Sequence, residues 1–314
     1  MIKAAALVLL PVLADPVQLF KISDPRISES SGLAASRKHP GIVYTHDDSG
    51  HLPQVFAVGP DGRTKATFAI SGAQNRDWEA ISIGRDERGR SAIYIGDIGD
   101  NLNGAWPYVT VYRVIEPARL HDQTLHATAF RFKYEDGPRN AESLLIDPRT
   151  NRLYIASKTK LLSGDEGHLY QAPAHLSTSG FNRLRKVGVA PPTATDGAFA
   201  PDGGTFVIRG YFGATLYTAP GKKLTDVDLP TQDQGESVTY ALDGRALLVG
   251  SEGNDEPVYQ VPLPSQALPT TKPSPGRAAT AVRAGKSDDN TLGYLVIAAL
   301  AAITAAVVVR RRTR

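Results

Sequence analysis

The sequence predicts an all-β fold, a five-bladed β-propeller closed by its N-terminal strand and followed by one C-terminal transmembrane helix. A segment of about 50 residues recurs five times between positions 31 and 262, and this length is typical of propeller blades. Each copy contains short runs of alternating apolar and polar residues, which is the period of a β-strand. An apolar run close to the C-terminus predicts the membrane helix.

Every repeat begins with a strand that has a polar residue at its head. The five heads are Ser31, Glu79, Glu142, Asp196 and Glu236. Loops rich in Gly, Pro and Asp follow the head strands, and these residues favour tight turns between antiparallel strands. A second strand and a third strand with an aliphatic-aromatic pair follow in every repeat, and a more polar fourth strand follows in the first four.

The fifth repeat ends at its third strand, near Pro262. The N-terminal segment PVQLFKI, residues 16–22, has the pattern of the missing fourth strand. We therefore expect the N-terminal strand to complete the last blade and to close the ring. A six-bladed ring is the alternative. It would need another blade in the interval between Glu79 and Glu142, where the sequence shows a long loop and a long fourth strand.

Residues 1–14 have the pattern of a secretory signal peptide. Lys3 precedes a short apolar run, and the small residue Ala14 ends it. The run is too short to span a bilayer, so cleavage after Ala14 would leave a mature chain that begins at Asp15. A buried first strand is the alternative interpretation of this segment.

The C-terminal part predicts a tether and an anchor. Residues 263–291 are rich in Pro, Ser, Thr and Ala, a composition that buries too little apolar surface to fold and so predicts a spacer. Residues 292–309 are apolar and long enough for a transmembrane helix, and residues 310–314 form the basic tail RRRTR. Because basic flanks lie in the cytoplasm, we expect a single-pass protein of a bacterial cell membrane with residues 15–262 outside.

Composition excludes several classes of function. The net charge of the chain is +3, but nine of its 35 basic residues and only two of its 32 acidic ones lie outside residues 15–262. The body is therefore acidic, which disfavours a nucleic-acid partner. The absence of cysteine excludes disulfides, thiol catalysis and zinc-thiolate sites.

The head residues predict a metal site. The first strand of each propeller blade lines the central channel, so equivalent head positions converge on its axis. Converging carboxylates repel one another unless a cation or protons compensate them. The heads offer only oxygen ligands, which suit calcium. The alternative is that these acids accept backbone hydrogen bonds or pair with basic neighbours.

The ends of the second strands lie on the same face and predict a charged rim. The candidate general bases there are His46 and Asp48. The candidate ligand-binding residues are Asp97, Lys158, Arg209 and Glu252, and the two basic side chains are suited to a phosphate or carboxylate. Salt bridges between blades and turn-forming hydrogen bonds are the alternative roles.

A five-bladed ring with these five heads resembles the calcium-activated nucleotidases, or apyrases, with Asp196 in place of the family's serine. The resemblance implies that the five heads hold the calcium needed to hydrolyse nucleoside di- and triphosphates. The segments SGLAASRKHPGIVYTHDDSG and DWEAISIG…IYIGDIGDN also resemble exported bacterial propeller proteins of the WD40-like or phytase-like group. That second resemblance implies the fold rather than a chemistry.

Two functions follow as hypotheses. The first is a membrane-anchored extracellular propeller with a central calcium site, whose channel face binds an anionic small molecule or a cell-wall component. The alternative is a calcium-dependent hydrolase of phosphate esters or anhydrides. The sequence contains no GxSxG, P-loop, HExxH or dinucleotide-binding motif, so it does not decide whether the protein is an enzyme.

Overall fold

The computed structural model describes residues 15–102, 104–159 and 166–269. The predicted signal peptide, residues 292–309, the basic tail and most of the spacer lie outside these ranges. Within the described ranges, no helix is long and apolar enough to cross a membrane. The start of the spacer contains one 3-10 turn, Ser265–Ala267.

The described chain is built of mainly antiparallel sheets, with 21 strands and no α-helix in the described ranges. The strands are β1 (Val17–Lys21), β2 (Ala34–Ala35), β3 (Val43–Thr45), β4 (Gln54–Val58), β5 (Thr64–Ser71), β6 (Trp78–Arg85), β7 (Ser91–Asp97), β8 (Val109–Ile115), β9 (Gln123–His126), β10 (Thr128–Tyr134), β11 (Ala141–Ile146), β12 (Leu153–Ser157), β13 (Gly167–Gln171), β14 (Phe181–Ala190), β15 (Ala194–Phe199), β16 (Phe206–Gly210), β17 (Gly213–Ala219), β18 (Lys222–Val227), β19 (Ser237–Tyr240), β20 (Ala246–Gly250) and β21 (Pro257–Pro262). The all-β prediction is therefore confirmed.

Consecutive strands pair in the order that the repeats predict. Strands β2 to β5 form one sheet and β15 to β18 another, while β19, β20 and β21 form a third. Strand β1 is the outer strand of this third sheet, antiparallel to β21, with Val17 opposite Gln260 and Phe20 opposite Val258. The N-terminal strand thus pairs where the sequence placed it.

The second and third repeats share one eight-stranded sheet. Strands β6, β7, β8 and β10 follow one another, and so do β11, β12, β13 and β14; the parallel pairing of β10 with β14 joins the two sets. The opposite ends, β6 and β11, also contact each other, so that this sheet is nearly closed. The predicted long fourth strand of the second repeat is divided at Ala127: β10 stays in its own sheet, whereas β9 pairs parallel with β5.

The first strands of the repeats lie side by side in a ring. β2 contacts β6, β6 contacts β11, β11 contacts β15, β15 contacts β19, and β19 contacts β2. Five apolar clusters fill the spaces between successive sets of strands; one of them, which contains Ile22, Leu33 and Val258, joins the first repeat to the last. This arrangement fits a β-propeller.

Candidate metal centre

Three of the predicted heads lie at the same end of their strands. Glu79 is the second residue of β6, Glu142 is the second residue of β11, and Glu236 directly precedes β19. The pairing register shifts at Glu79 and again at Glu142, so each is the extra residue of a β-bulge. A bulge of this kind re-aims a side chain. Here the two bulges lie at Glu79 and Glu142, in the neighbouring strands β6 and β11 of the ring.

The structure brings the three glutamates together. One carboxylate oxygen from each of Glu79, Glu142 and Glu236 lies within 4.8 Å of the other two, and the three residues are 2%, 3% and 4% exposed. A second group of the same dimensions contains Asp48, Asp77 and Glu79. Glu79 belongs to both groups and is therefore the centre of the cluster.

The cluster contains far more negative than positive charge. Burial and the neighbouring carboxylates of Glu142, Asp48, Asp77 and Glu236 hold the pKa of Glu79 well above its usual range. Burial raises the pKa of Glu142 to about 8, although the ammonium group of Lys158 opposes this shift. Without a bound cation, the folded protein must therefore keep protons on some of these groups.

Hydrogen bonds and one ion pair position two of the three glutamates. The Lys158 ammonium lies 2.6 Å from Oε2 of Glu142 and donates to the Tyr211 hydroxyl at 2.7 Å. The amide of Gln234 donates to Oε1 of Glu236 at 3.1 Å. No such donor within the described ranges reaches the carboxylate of Glu79, whose environment consists of burial and other carboxylates.

Gly99 lies directly beside this carboxylate. A Cβ atom at position 99 would lie 2.4 Å from oxygens of both Asp77 and Glu79. Real Cβ atoms do not approach oxygen so closely, so any side chain here would push the two acids apart. The loop after β7 thereby leaves the carboxylates room to converge.

The donor set fits a hard divalent cation. Calcium binds about 6–8 oxygen atoms at about 2.3–2.6 Å, so ligands on opposite sides of one ion are separated by about twice that distance. In each group the carboxylate oxygens lie within 4.8 Å of one another, close enough to share one such ion. All the donors in the two groups are carboxylate oxygens, and the softer ligands preferred by copper and zinc take no part in them.

Asp196 lies in neither carboxylate group. Its Oδ1 accepts the Gly197 N–H and its Oδ2 accepts the Val238 N–H, both at 2.7 Å. In β15 the register shift occurs at Thr195, so Thr195, and not Asp196, is the structural counterpart of Glu79 and Glu142. A shift of one residue turns a side chain to the opposite face of a strand. Asp196 resembles the other heads in residue type, but Thr195 is the residue that occupies the equivalent position in its strand.

Arg209 does not reach the rim. It is completely buried, and its guanidinium donates to the carbonyl oxygens of Ser237 and Gly250, both at 2.8 Å. Burial lowers its pKa to about 10. A Cβ atom at Gly235 would lie 1.8 Å from Nη2 of Arg209, so this glycine is what admits the guanidinium. The arginine joins two repeats, and its complete burial separates it from any ligand at the rim.

Ser31 and Glu252 lie together beside the cluster. The Ser31 hydroxyl donates to Oε1 of Glu252 at 2.9 Å, and the Gln234 amide also donates to this carboxylate. Burial and the nearby charge of Glu236 raise the pKa of Glu252 to about 7. Gln234 therefore connects Glu252 to Glu236, on the rim that the sequence predicted.

The remaining predicted residues divide between the site and the scaffold. Burial, and then the charges of Asp77 and Glu236, raise the pKa of Asp48 to about 7. His46 is fully buried against Trp78; its pKa is lowered to about 4, and its Nε2 has no hydrogen-bond partner within the described ranges. Asp97 accepts the backbone N–H of Asp77 at 2.8 Å and thereby positions Asp77 in the cluster.

Sequence reasoning missed four residues of this centre: Asp77, Gly99, Tyr211 as the partner of Lys158, and Gln234. Asp77 was visible two residues before Glu79 in DWEAISIG. Alternation places residues two apart on the same face of a strand, so this second acid could have been found. The other three act through side-chain contacts in the folded structure, those of Gly99 and Gln234 within their own repeats and that of Tyr211 with the preceding repeat, and such contacts leave no local pattern.

No family model and no curated protein matches this sequence. Among solved structures, the chain is similar to a gluconolactonase from Xanthomonas campestris with 12% identity and a TM-score of 0.45. The match covers 81% of this chain and 99% of that chain. A likeness this distant assigns no activity, so the proposals below rest on the residues themselves.

Proposed function

We propose that the chain is a five-bladed β-propeller that holds a divalent cation, calcium, at the carboxylate cluster and binds an anionic ligand beside it. The ring of first strands and the five clusters between repeats support the blade number. One observation carries the metal site: Glu79 is 2% exposed, is surrounded by other carboxylates and receives no hydrogen bond within the described ranges.

Calcium is the cation that best satisfies these groups. An unpaired buried carboxylate costs several kcal/mol unless a proton or a cation neutralises it. Within the described ranges, one ammonium group, that of Lys158, forms an ion pair with a carboxylate of the set Asp48, Asp77, Glu79, Glu142 and Glu236. A divalent ion would balance two of the remaining charges and leave coordination positions for ligand oxygens.

The chain's own residues would orient the ligand. Lys158 holds Glu142 on one side and contacts Tyr211 on the other, so its position is fixed before a ligand arrives. Glu252, held by Ser31 and Gln234, borders the opposite side. The proposed ligand is a small anion or an acidic polymer of the cell surface, whose oxygens would complete the coordination of calcium.

The proposal includes export and anchoring, on the strength of the sequence at both ends. We expect the mature chain to begin at Asp15 and residues 292–309 to hold it in the membrane, with the propeller outside. Intact-mass analysis of the protein from the membrane fraction tests the cleavage, and the expected mass is that of a chain beginning at Asp15. Release of a chain that stops at residue 291 into the medium tests the anchor, and retention of that chain in the membrane would contradict it.

Thermal unfolding with calcium and with chelator tests the metal site. A ligand that binds only the folded state at 100 times its dissociation constant stabilises it by about 2.7 kcal/mol. We expect calcium to raise the unfolding midpoint of the wild type, and Glu79→Gln to abolish this shift because both carboxylate groups contain Glu79. Glu87→Gln, an exposed acid elsewhere, is the control and should keep the shift. An equal shift in wild type and Glu79→Gln would contradict the site.

Hydrolysis of phosphate esters or anhydrides is the second candidate. It is supported by the position of Asp48, whose carboxylate oxygen lies within 4.8 Å of those of Asp77 and Glu79 and is thus placed to accept a proton from water beside the metal centre. The test is release of inorganic phosphate from nucleoside diphosphates with calcium present. Activity that Asp48→Asn loses while calcium binding persists would favour the hydrolase, and no release by the wild type would leave the binding function.

A further inference from the structure

The hairpin between β16 and β17 has an unusual tip. Gly210 pairs with Gly213, so its loop consists of only Tyr211 and Phe212. Two-residue hairpins favour Gly, Asn or Asp at these positions, where a positive φ is usually needed. Neither aromatic residue has a positive φ. The turn geometry therefore does not explain why both positions carry aromatic side chains. Phe212 is also 82% exposed, so packing in the core does not explain it either.

A cavity of about 490 Å³ lies beside this tip. This volume is in the range of small-molecule sites. Tyr211 and Phe212 form one wall, and residues 229–235, with the sequence LPTQDQG, form the other. Thr231 and Asp233 are exposed on this second wall, and they supply a hydroxyl and a carboxylate that bond to ligand hydroxyl groups.

One residue of each cavity wall is hydrogen-bonded to the groups around the carboxylate cluster. On the aromatic wall, Tyr211 accepts a hydrogen bond from Lys158, which is paired with Glu142. On the polar wall, Gln234 donates to both Glu236 and Glu252. A molecule in the cavity would therefore lie next to the groups that hold the proposed cation.

We propose that this cavity binds an acidic sugar, a saccharide unit that carries a carboxylate. The sugar ring packs on the face of Phe212, its hydroxyl groups bond to Thr231 and Asp233, and its carboxylate points to Lys158 and the metal centre. The inference rests on the proposed function, because it supplies the ligand class of that site.

The two walls favour a sugar over a planar base. A base is usually stacked between two apolar or aromatic faces, whereas here the wall opposite the aromatic pair adds hydroxyl, amide and carboxylate groups to the apolar Leu229 and Pro230. A sugar has an apolar ring face and hydroxyl groups around its edge, so each part meets a matching wall. The carboxylate is argued from Lys158, whose ammonium group pairs with Glu142 and donates to Tyr211 of the cavity wall.

Calorimetric titration of the full chain with glucuronate, with calcium present, tests the proposal. We expect binding to the wild type that is about ten-fold weaker in Phe212→Ala, which corresponds to one aromatic contact. Leu52→Ala is the control; Leu52 is 71% exposed but does not line the cavity, and its replacement should leave the affinity unchanged. Glucose, which lacks the carboxylate, should bind more weakly than glucuronate.

A parallel titration with calcium alone separates the two proposals. Calcium binding that is equal in wild type and Phe212→Ala is expected, because the phenyl ring is not a ligand of the cation. If calcium binds and glucuronate does not, or if Phe212→Ala binds glucuronate as the wild type does, the sugar site is wrong. If calcium does not bind, the proposed function is wrong, and the glucuronate titration of Phe212→Ala still decides whether the cavity holds a sugar.

Discussion

At the scale of single residues, the centre depends on which carboxylates have a partner. Glu142 has Lys158 and Glu236 has Gln234, whereas Glu79 has only other acids around it. Asp196, equally buried, is bonded to two backbone N–H groups. Burial of an acid is thus common to a structural role and a metal-binding role, and the partners distinguish them.

Lys158→Met should destabilise the protein when no cation is bound. Removing one partner of a buried ion pair costs about 3–5 kcal/mol, because the other charge stays buried and unpaired. Lys186→Met is the matched control, since Lys186 is 43% exposed and its pair with Asp136 is worth about 1 kcal/mol or less. Urea unfolding at pH 8 with chelator measures both, and equal losses would contradict the role of Lys158.

Asp196→Asn should lower stability without changing the response to calcium. An amide cannot accept both N–H groups as the carboxylate does, and an unpaired buried donor costs about 1–3 kcal/mol. The midpoint in chelator should fall, while the shift caused by calcium persists. Loss of that shift would show that Asp196 is a ligand of the cation.

At the scale of elements, β1 closes the ring. Its register with β21 completes the last sheet, and Ile22, directly after it, is 3% exposed in the cluster that joins the last repeat to the first. This pairing was predictable because both strands have a local pattern. The pairing of β9 with β5 and the bulges at the heads were not, because they depend on neighbours distant in sequence.

Ile22→Ala should therefore cost about 2–5 kcal/mol, the usual loss for a large aliphatic side chain in a core. Leu19→Ala, in β1 itself but 42% exposed, should change stability by about 0.5 kcal/mol or less. Chemical denaturation of the two variants compares a buried and an exposed position of one segment. Similar losses would mean that the seam between the first and last repeats does not hold the ring closed.

At the scale of the whole molecule, the ring concentrates its acids at one end. The strands of each repeat follow from its local sequence pattern. The carboxylate oxygens of Glu79, Glu142 and Glu236 come within 4.8 Å of one another only because the ring brings three repeats together. The sequence predicted that five head residues would converge because they occupy equivalent positions, and these three glutamates are the heads that share one group. It did not predict that Thr195 occupies the head position of the fourth repeat, because the adjacent Asp196 matches the other heads in residue type.

The stability of the metal-free protein should fall as the pH rises from about 6.5 to 8. The pKa of Glu142 is about 8, and those of Asp48 and Glu252 are about 7, all above their unfolded values. The folded state therefore binds more protons than the unfolded state, and each extra proton that it still holds lowers the free energy of unfolding by up to about 1.4 kcal/mol per unit of rising pH. The buried His46 has the opposite effect, but only below about pH 6.5.

Thermal unfolding at several pH values in this range, with chelator and with calcium, measures the effect. Calcium replaces the protons in the folded state, so the slope should become much smaller when it is present. A midpoint that rises with pH in chelator would contradict the raised pKa values of the cluster.

The central claim is that a cation binds where the carboxylates converge, and anomalous diffraction from crystals grown with calcium tests it most directly. The account predicts a calcium peak about 2.3–2.6 Å from carboxylate oxygens that include one of Glu79. A map without a peak there, at calcium concentrations that saturate any binding seen in solution, would contradict the claim and return these acids to a protonated, structural role.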